Sequence, residues 1–370
     1  MPDHAPEDDF PAQPAEGARP SAAHGLTPYA TLTPERVLDT LDALGQPVDG
    51  RLLQLNSYEN RVFQVGLDDG SQVVAKFYRS GRWTNEQILE EHAFALELAA
   101  AEVPAVPPLT LALDTFRLPA GLSAAVHGAP PTLGAIGDAR VAVSPRRGGR
   151  TPELEDPAVL EWLGRFLGRL HTVGARQPFV HRPTLGVAQT GRAARDWLAE
   201  ADHLPAEHRQ DWLDAADEAL DAAEEAFSRI DGLRLRRLHG DCHPGNLLWT
   251  PEGPHFVDLD DACMGPAVQD LWMLFSGDPK ERTPLLHALL DGYEQVAEFD
   301  WRELRLIEPL RTLRLVHHSA WLARRWDDPA FPAAFPWYGS GVYWQQQANA
   351  LRQQTEAMAN PDDTPAWLQG

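Results

Sequence analysis

The chain has 370 residues, 43% of them hydrophobic, an ordinary globular composition long enough for two lobes with ample core. Its 54 acids against 32 bases give a formal charge of −22, which disfavours nucleic acid or an anionic membrane as partner and requires any phosphate pocket to be locally basic. Two cysteines are too few for a disulfide framework and fit a reducing cytoplasm, no apolar run approaches the ~20 residues of a membrane span, and the acidic start MPDHAPEDDF lacks the basic and apolar regions of a secretory leader.

Residues 1–24 are Pro, Ala and acid with almost no large apolar group, and read as a disordered tail. Thr33-Pro34-Glu35 is a helix start, with an N-cap, Pro in the first turn and an acid beside the dipole. Val37, Leu38, Leu41 and Leu44 form its apolar stripe and Gly45 ends it. Strands follow at Leu52–Leu55, Val62–Val65 and Gln72–Tyr78, the last two joined by an Asp68-Asp69-Gly70 turn. In the third strand Val74, Lys76 and Tyr78 share a face opposite Val73, Ala75 and Phe77. Lys76 is therefore a charge among apolar neighbours, which needs a partner if buried or else blunts a sheet edge. The turn Asn56–Asn60 has no glycine, and Glu59 with Arg61 reads as a local ion pair on it.

Thr84 and Gln87 make a capping box for a helix running to Ala101. Its acids Glu86, Glu90 and Glu91 are candidates to reach Lys76. Leu111–Leu113 and Phe116–Leu118 read as strand pieces, Ala124–Asp138 as an aperiodic insertion loop, and Arg140–Pro145 as the last strand of the first lobe. Arg146–Arg150 is a basic, flexible turn.

Leu160, Leu163, Phe166, Leu167 and Leu170 mark a long amphipathic helix ending at His171, read as a core histidine. Residues 190–230 predict two or three helices. The excess of acids over Glu200–Glu225 is a solvated face or, alternatively, a surface for a cationic substrate.

The stretch Leu238–Asp261, LHGDCHPGNLLWTPEGPHFVDLDD, holds the chemistry. Asp241 and Asn246 share a Gly/Pro-broken loop. A hairpin, Leu247–Trp249 with His255–Val257, then delivers Asp258, with Asp260 and Asp261 behind it. A loop acid, a loop amide and a strand-end acid are the layout of phosphoryl transfer: Asp241 orients a hydroxyl and accepts its proton, while Asn246 and Asp258 hold Mg²⁺ on ATP. Asp and Asn cap turns everywhere, but Asp258 directly follows three apolar strand residues, where a charge needs a reason. His239, Cys242, His243, His255 and Cys263 lie close in sequence without the spacing of a zinc site. Helices are expected over Pro284–Val296, Trp301–Arg325 and Tyr343–Met358. The aromatic run Trp326–Tyr338 reads as a loop over the helical lobe, and residues 359–370 as a frayed tail.

The pattern H-G-D-x-x-x-x-N followed by h-x-D resembles the aminoglycoside phosphotransferase/choline kinase branch of the protein-kinase-like fold. It departs from protein kinases at Gly240, where Arg is common, and at Leu259-Asp260, where Phe-Gly would follow the metal Asp. LNSYENRVFQV (55–65) and FVDLDDACMGPAVQDLWML (256–274) are similar to the bacterial stress-response Ser/Thr kinases of this branch, over about Leu26 to about Gln354.

The resemblance implies a bilobal α+β protein-kinase-like fold. An antiparallel-sheet nucleotide lobe would cover 25–143 and a mainly helical catalytic lobe 144–370. It implies Lys76 on the ATP phosphates, paired with Glu91 in preference to Glu90, and Ser57 as an ATP contact. Backbone near Val143 would meet adenine, and Asp270 would hold the catalytic loop. The implied partners are ATP with Mg²⁺ and Ser/Thr residues of proteins, the enzyme itself included, for a cytoplasmic monomer in a stress response. The residues alone also allow a small alcohol acceptor, of homoserine, choline or aminoglycoside type, or a non-catalytic nucleotide sensor.

Overall fold

The computed structural model describes Tyr29 and residues 31–275 and 279–359. The tail expected over 1–24, and that over 359–370 beyond its first residue, lie outside the described residues.

Helix α1 (Pro34–Ala43) begins as expected, with the Thr33 hydroxyl accepting the Arg36 N–H at 3.3 Å. Strands β1 (Val48–Leu55), β2 (Arg61–Leu67), β3 (Gln72–Phe77), β4 (Ala124–His127), β5 (Leu133–Ile136) and β6 (Ala139–Pro145) form one antiparallel sheet in the order β1-β2-β3-β6-β5-β4. Val73, Ala75 and Phe77 are buried with Phe63, Val65 and Val141 beneath Val37 and Leu41 of α1. The alternation of β3 turns Lys76 to the other face, which α2 (Asn85–Ala100) partly covers; both bonds of its capping box form.

The first lobe differs from expectation between β3 and β6. No strand forms over 111–113 or 116–118; Leu109 and Leu111 instead donate single backbone bonds to Val143 and Pro131. The expected insertion loop is a β4–β5 hairpin extending the sheet. Its inner side needs small residues: a side chain at Gly134 would put a Cβ 2.6 Å from Leu44 Cδ1. Ala and Gly here reflect close packing, which removed the alternation that betrays a strand.

The second lobe contains α3 (Pro157–Gly174), α4 (Ala193–Glu200), α5 (Ala206–Ser228), the single turn α6 (Gln269–Trp272), α7 (Pro279–Glu294), α8 (Ile307–Arg324), α9 (Ala330–Ala334) and α10 (Gly341–Met358). Leu160, Leu163 and Leu167 of α3 and Leu286, Leu289 and Leu290 of α7 are fully buried at its centre. Four short strands, β7 (Arg236–Leu238), β8 (Leu247–Thr250), β9 (Gly253–Phe256) and β10 (Cys263–Gly265), pair as β7 with β10 and β8 with β9. Among the described residues no helix is long and apolar enough to cross a membrane.

Candidate active site

The loop from His239 to Asn246 hangs on Asp270 of α6. The buried Asp270 carboxylate accepts the N–H groups of His239 and Gly240, each at 2.8 Å, and lies 3.1 Å from His171 Nε2. His171 is a core histidine, fully buried with Nδ1 at 3.0 Å from the Tyr293 hydroxyl. Gln269 adds a bond from Nε2 to the Gly240 carbonyl at 2.9 Å. Gly240 is required twice over: its φ is +87°, and a Cβ there would stand 2.1 Å from the Asp261 carbonyl oxygen. No side chain fits where protein kinases carry Arg.

The β8–β9 hairpin brings the loop's far end beside the next acid. Val257 donates its N–H to the Asn246 carbonyl at 3.1 Å, and His239 Nε2 donates to the Val257 carbonyl at 2.9 Å. Asp258 then adopts the left-handed conformation, φ 60° and ψ 62°, with its side chain half exposed in the cleft. Asn246 donates through Nδ2 to the Asp241 carbonyl at 2.9 Å, which leaves Oδ1 without a protein partner among the described residues. Asn246 and Asp258, two hard oxygen donors, both line the cleft, a donor set of the kind that suits Mg²⁺ completed by water and phosphate.

Asp241 is engaged by a cation the sequence did not signal. Arg314, from α8, donates to its carboxylate at 2.7 Å, and His243 Nε2 lies 3.5 Å away. Burial would raise the Asp241 pKa, but Arg314 and His243 outweigh it and hold the carboxyl below its usual range.

Lys76 does not pair with Glu91. Its Nζ lies 3.2 Å from Asp258, 3.5 Å from Asp260 and 5.1 Å from the Tyr78 ring centre. Burial opposes its charge, but Tyr78, Asp260 and Asp258 more than compensate and keep it protonated. Asp260 takes the partner expected of Glu91 because it is fixed in place: Asn60 donates to it at 3.1 Å, and Arg82 pairs with both Asp260 and Asp261. Glu91 is buried, its Oε2 makes no hydrogen bond, and burial pushes its carboxyl pKa up. Glu90 turns away and accepts the N–H groups of His181 and Arg182, each at 2.8 Å.

The turn Asn56–Asn60 covers the cleft, with Ser57 on the lining. Glu59 does not pair with Arg61. It is partly buried and reaches the second lobe, accepting from Arg325 at 2.8 Å and from Trp321 Nε1 at 2.7 Å. Arg79 extends the link, lying 3.3 Å from Glu59 and donating to Asp328 at 2.9 Å. Tyr58 packs on Phe335, ring centres 5.1 Å apart. The Trp326–Tyr338 run therefore covers the helical lobe and also holds the first lobe's turn.

Val143 does not line the cleft. Its side chain is fully buried and its carbonyl accepts the Leu109 N–H at 2.7 Å; Ala142, Ser144 and Pro145 line the cleft instead. Arg146 and Arg147 also reach the lining. Their turn is anchored rather than free, because Arg150 and Trp249 exchange backbone bonds of 3.0 and 2.7 Å. The acid-rich 200–225 segment lines none of the cleft; within α5, Asp221 and Glu224 accept from Arg192 at 2.7 and 2.6 Å. Cys242 and Cys263 are free and buried, and burial pushes both thiols up. The structure thus brings Ser57, Lys76, Asp241, Asn246 and Asp258 to one cleft of about 1990 Å³, with Glu91 at its buried end.

Comparison with known proteins agrees with this arrangement. The model of the phosphotransferase enzyme family matches residues 51–307. The chain is 45% identical over 333 residues to "Serine/threonine protein kinase RdoA" of Salmonella typhimurium, covering 90% of this chain and 95% of that protein. It is 44% identical to "Stress response kinase A" of Escherichia coli K12 over the same shares. Among solved structures, amicoumacin kinase hAmiN in complex with AMP-PNP, Ca²⁺ and Ami superposes with a TM-score of 0.64 at 18% identity, over 90% of this chain and 96% of that one. A microcompartment-associated aminopropanol kinase gives 0.61 at 17%, over 90% and 99%. These two likenesses speak for the bilobal kinase-like fold.

Proposed function

Because the chain belongs to the phosphotransferase enzyme family, we propose that it transfers the γ-phosphoryl group of ATP, with Mg²⁺, to Ser and Thr hydroxyls of proteins, its own chain included, in a bacterial stress response. The observation that carries this reading is the meeting of Lys76, Asp241, Asn246 and Asp258 on the walls of one cleft. The names of relatives more than 40% identical support the protein acceptor and the stress response. The volume of about 1990 Å³ also exceeds the roughly 300–1,000 Å³ of a small-molecule pocket, leaving room for a nucleotide and a polypeptide segment.

In this reading Lys76 holds the α- and β-phosphates and Ser57 contacts the nucleotide from the covering turn. Adenine lies against Ala142, Ser144 and Pro145. Asn246 and Asp258 would hold Mg²⁺, which supplies neutralisation of phosphate charge when bound. Asp241 orients the acceptor hydroxyl and takes its proton as the oxygen attacks phosphorus; its depressed pKa keeps it ionised for the task. Alignment and charge complementarity lower the barrier.

The test is radiolabelled ATP supplied with cell lysate and, separately, with a panel of amino alcohols. Label on protein bands is the expected result. Label confined to small alcohols overturns the protein acceptor, and ATP bound without transfer to anything overturns the kinase reading.

A further inference from the structure

The helical wall of the cleft has a charge pattern of which the proposed phosphoryl transfer uses only Arg314, at Asp241. Arg314, His317, His318, Trp321, Arg324 and Arg325, at i, i+3, i+4, i+7, i+10 and i+11, share one face of α8 and the residue beyond it, and all line the cleft. No acid stands on this stripe, in a chain where acids outnumber bases by 54 to 32. Two of its cations are satisfied within the protein, Arg314 by Asp241 at 2.7 Å and Arg325 by Glu59 at 2.8 Å. Arg324 is exposed and has no carboxylate partner among the described residues; its guanidinium rests on the Trp197 ring, 4.9 Å from the centroid.

The stripe starts where an acceptor hydroxyl must arrive, at Asp241, and runs along the helix to Arg324, roughly 15 Å at ~1.5 Å per residue. A small anionic alcohol cannot touch both ends. An extended polypeptide at ~3.3 Å per residue covers that distance in about four to five residues. We propose that the acceptor segment is acidic: its Ser or Thr hydroxyl reaches Asp241 while an Asp or Glu about four to five residues away pairs with Arg324. This deepens, and rests on, the protein-kinase reading above. It also explains how a strongly acidic protein recruits an acidic partner, because the attraction is confined to one wall of the cleft, at a distance the bulk field is screened over.

The test uses the full chain with Mg²⁺ and ATP and three Ser peptides that differ only at the fourth and fifth positions on either side of the Ser, which carry Asp, Ala or Lys. The expected kcat/KM favours the Asp peptide over the Ala peptide by about tenfold, the scale of one charge-assisted contact. Arg324→Gln should erase that ratio, and Arg324→Glu should invert it in favour of Lys. The ratio rather than the rate is the readout, so a general loss of activity does not imitate the result. Equal use of the three peptides by the unmodified enzyme overturns the inference, as does an Arg324→Gln variant that slows all three alike. If lysate proteins are labelled with no acidic preference, this inference fails and the protein-kinase reading stands. If only small alcohols are labelled, both fail.

Discussion

Asp241 is held between opposing influences: burial favours its neutral form, and Arg314 favours the carboxylate. In the proposed reading Asp241 has to be ionised before the hydroxyl arrives, and Arg314 helps hold its pKa below the usual carboxylate range. Removing the carboxylate while keeping its shape isolates this role. Asp241→Asn should lower turnover by about three orders of magnitude, with ATP affinity measured by calorimetry nearly unchanged. Removing the cation instead leaves burial unopposed, so the Asp241 pKa rises. For Arg314→Gln, the acidic limb of the kcat/KM profile should therefore move to higher pH than in the unmodified enzyme; an unmoved limb would show that Arg314 does not tune this group.

At the scale of elements, the loop from His239 to Asn246 bonds to itself at its far end and borrows the order of its first residues from α6. Asp270 accepts two adjacent backbone N–H groups and contacts buried His171. Asp270→Ala would orphan all three, and we expect a loss of roughly 3 kcal/mol in denaturant unfolding. Much of this site was legible in the sequence because its parts are local: the loop, the hairpin and Asp258 lie within some twenty residues, and Asp258 follows an apolar strand. The Lys76 position was legible for the same reason, since strand alternation left it on the face opposite Val73, Ala75 and Phe77. Its partner was not, because Glu91 and Asp260 both carry suitable charge and only Asn60 and Arg82 decide between them. Arg314 and Arg325 gave no signal, as nothing local to α8 says which loop it will face. The β4–β5 hairpin was hidden by its small residues, and Val143 was misjudged because strand position does not reveal that Leu109 already occupies its carbonyl.

For the molecule as a whole, the two lobes are joined across the cleft by buried and partly buried charge. Glu59 and Asp260 each have a lowered pKa: burial, which raises it, is outweighed by Arg325 and Arg82 for Glu59 and by Lys76 and Arg82 for Asp260. The sign of the linkage follows. Stability from these acids is complete above the ordinary carboxylate range of ~4 and is lost as pH falls below it toward the folded-state values. Thermal midpoints should drop on acidification below about pH 4, and Glu59→Gln should make that drop shallower while lowering the midpoint at neutral pH.

The covering turn has a kinetic consequence. A glycine-rich flap can breathe in small independent movements. Residues 56–60 contain no glycine, and the chain fastens them by a carboxylate gripped by Arg325 and Trp321 and by an aromatic ring wedged against Phe335. Such a clasp is shut or undone, with little between. In the proposed reading spent nucleotide passes this clasp on its way out, so loosening it with Glu59→Gln should speed ADP dissociation measured by stopped flow, and an unchanged rate would show that the clasp does not gate the cleft.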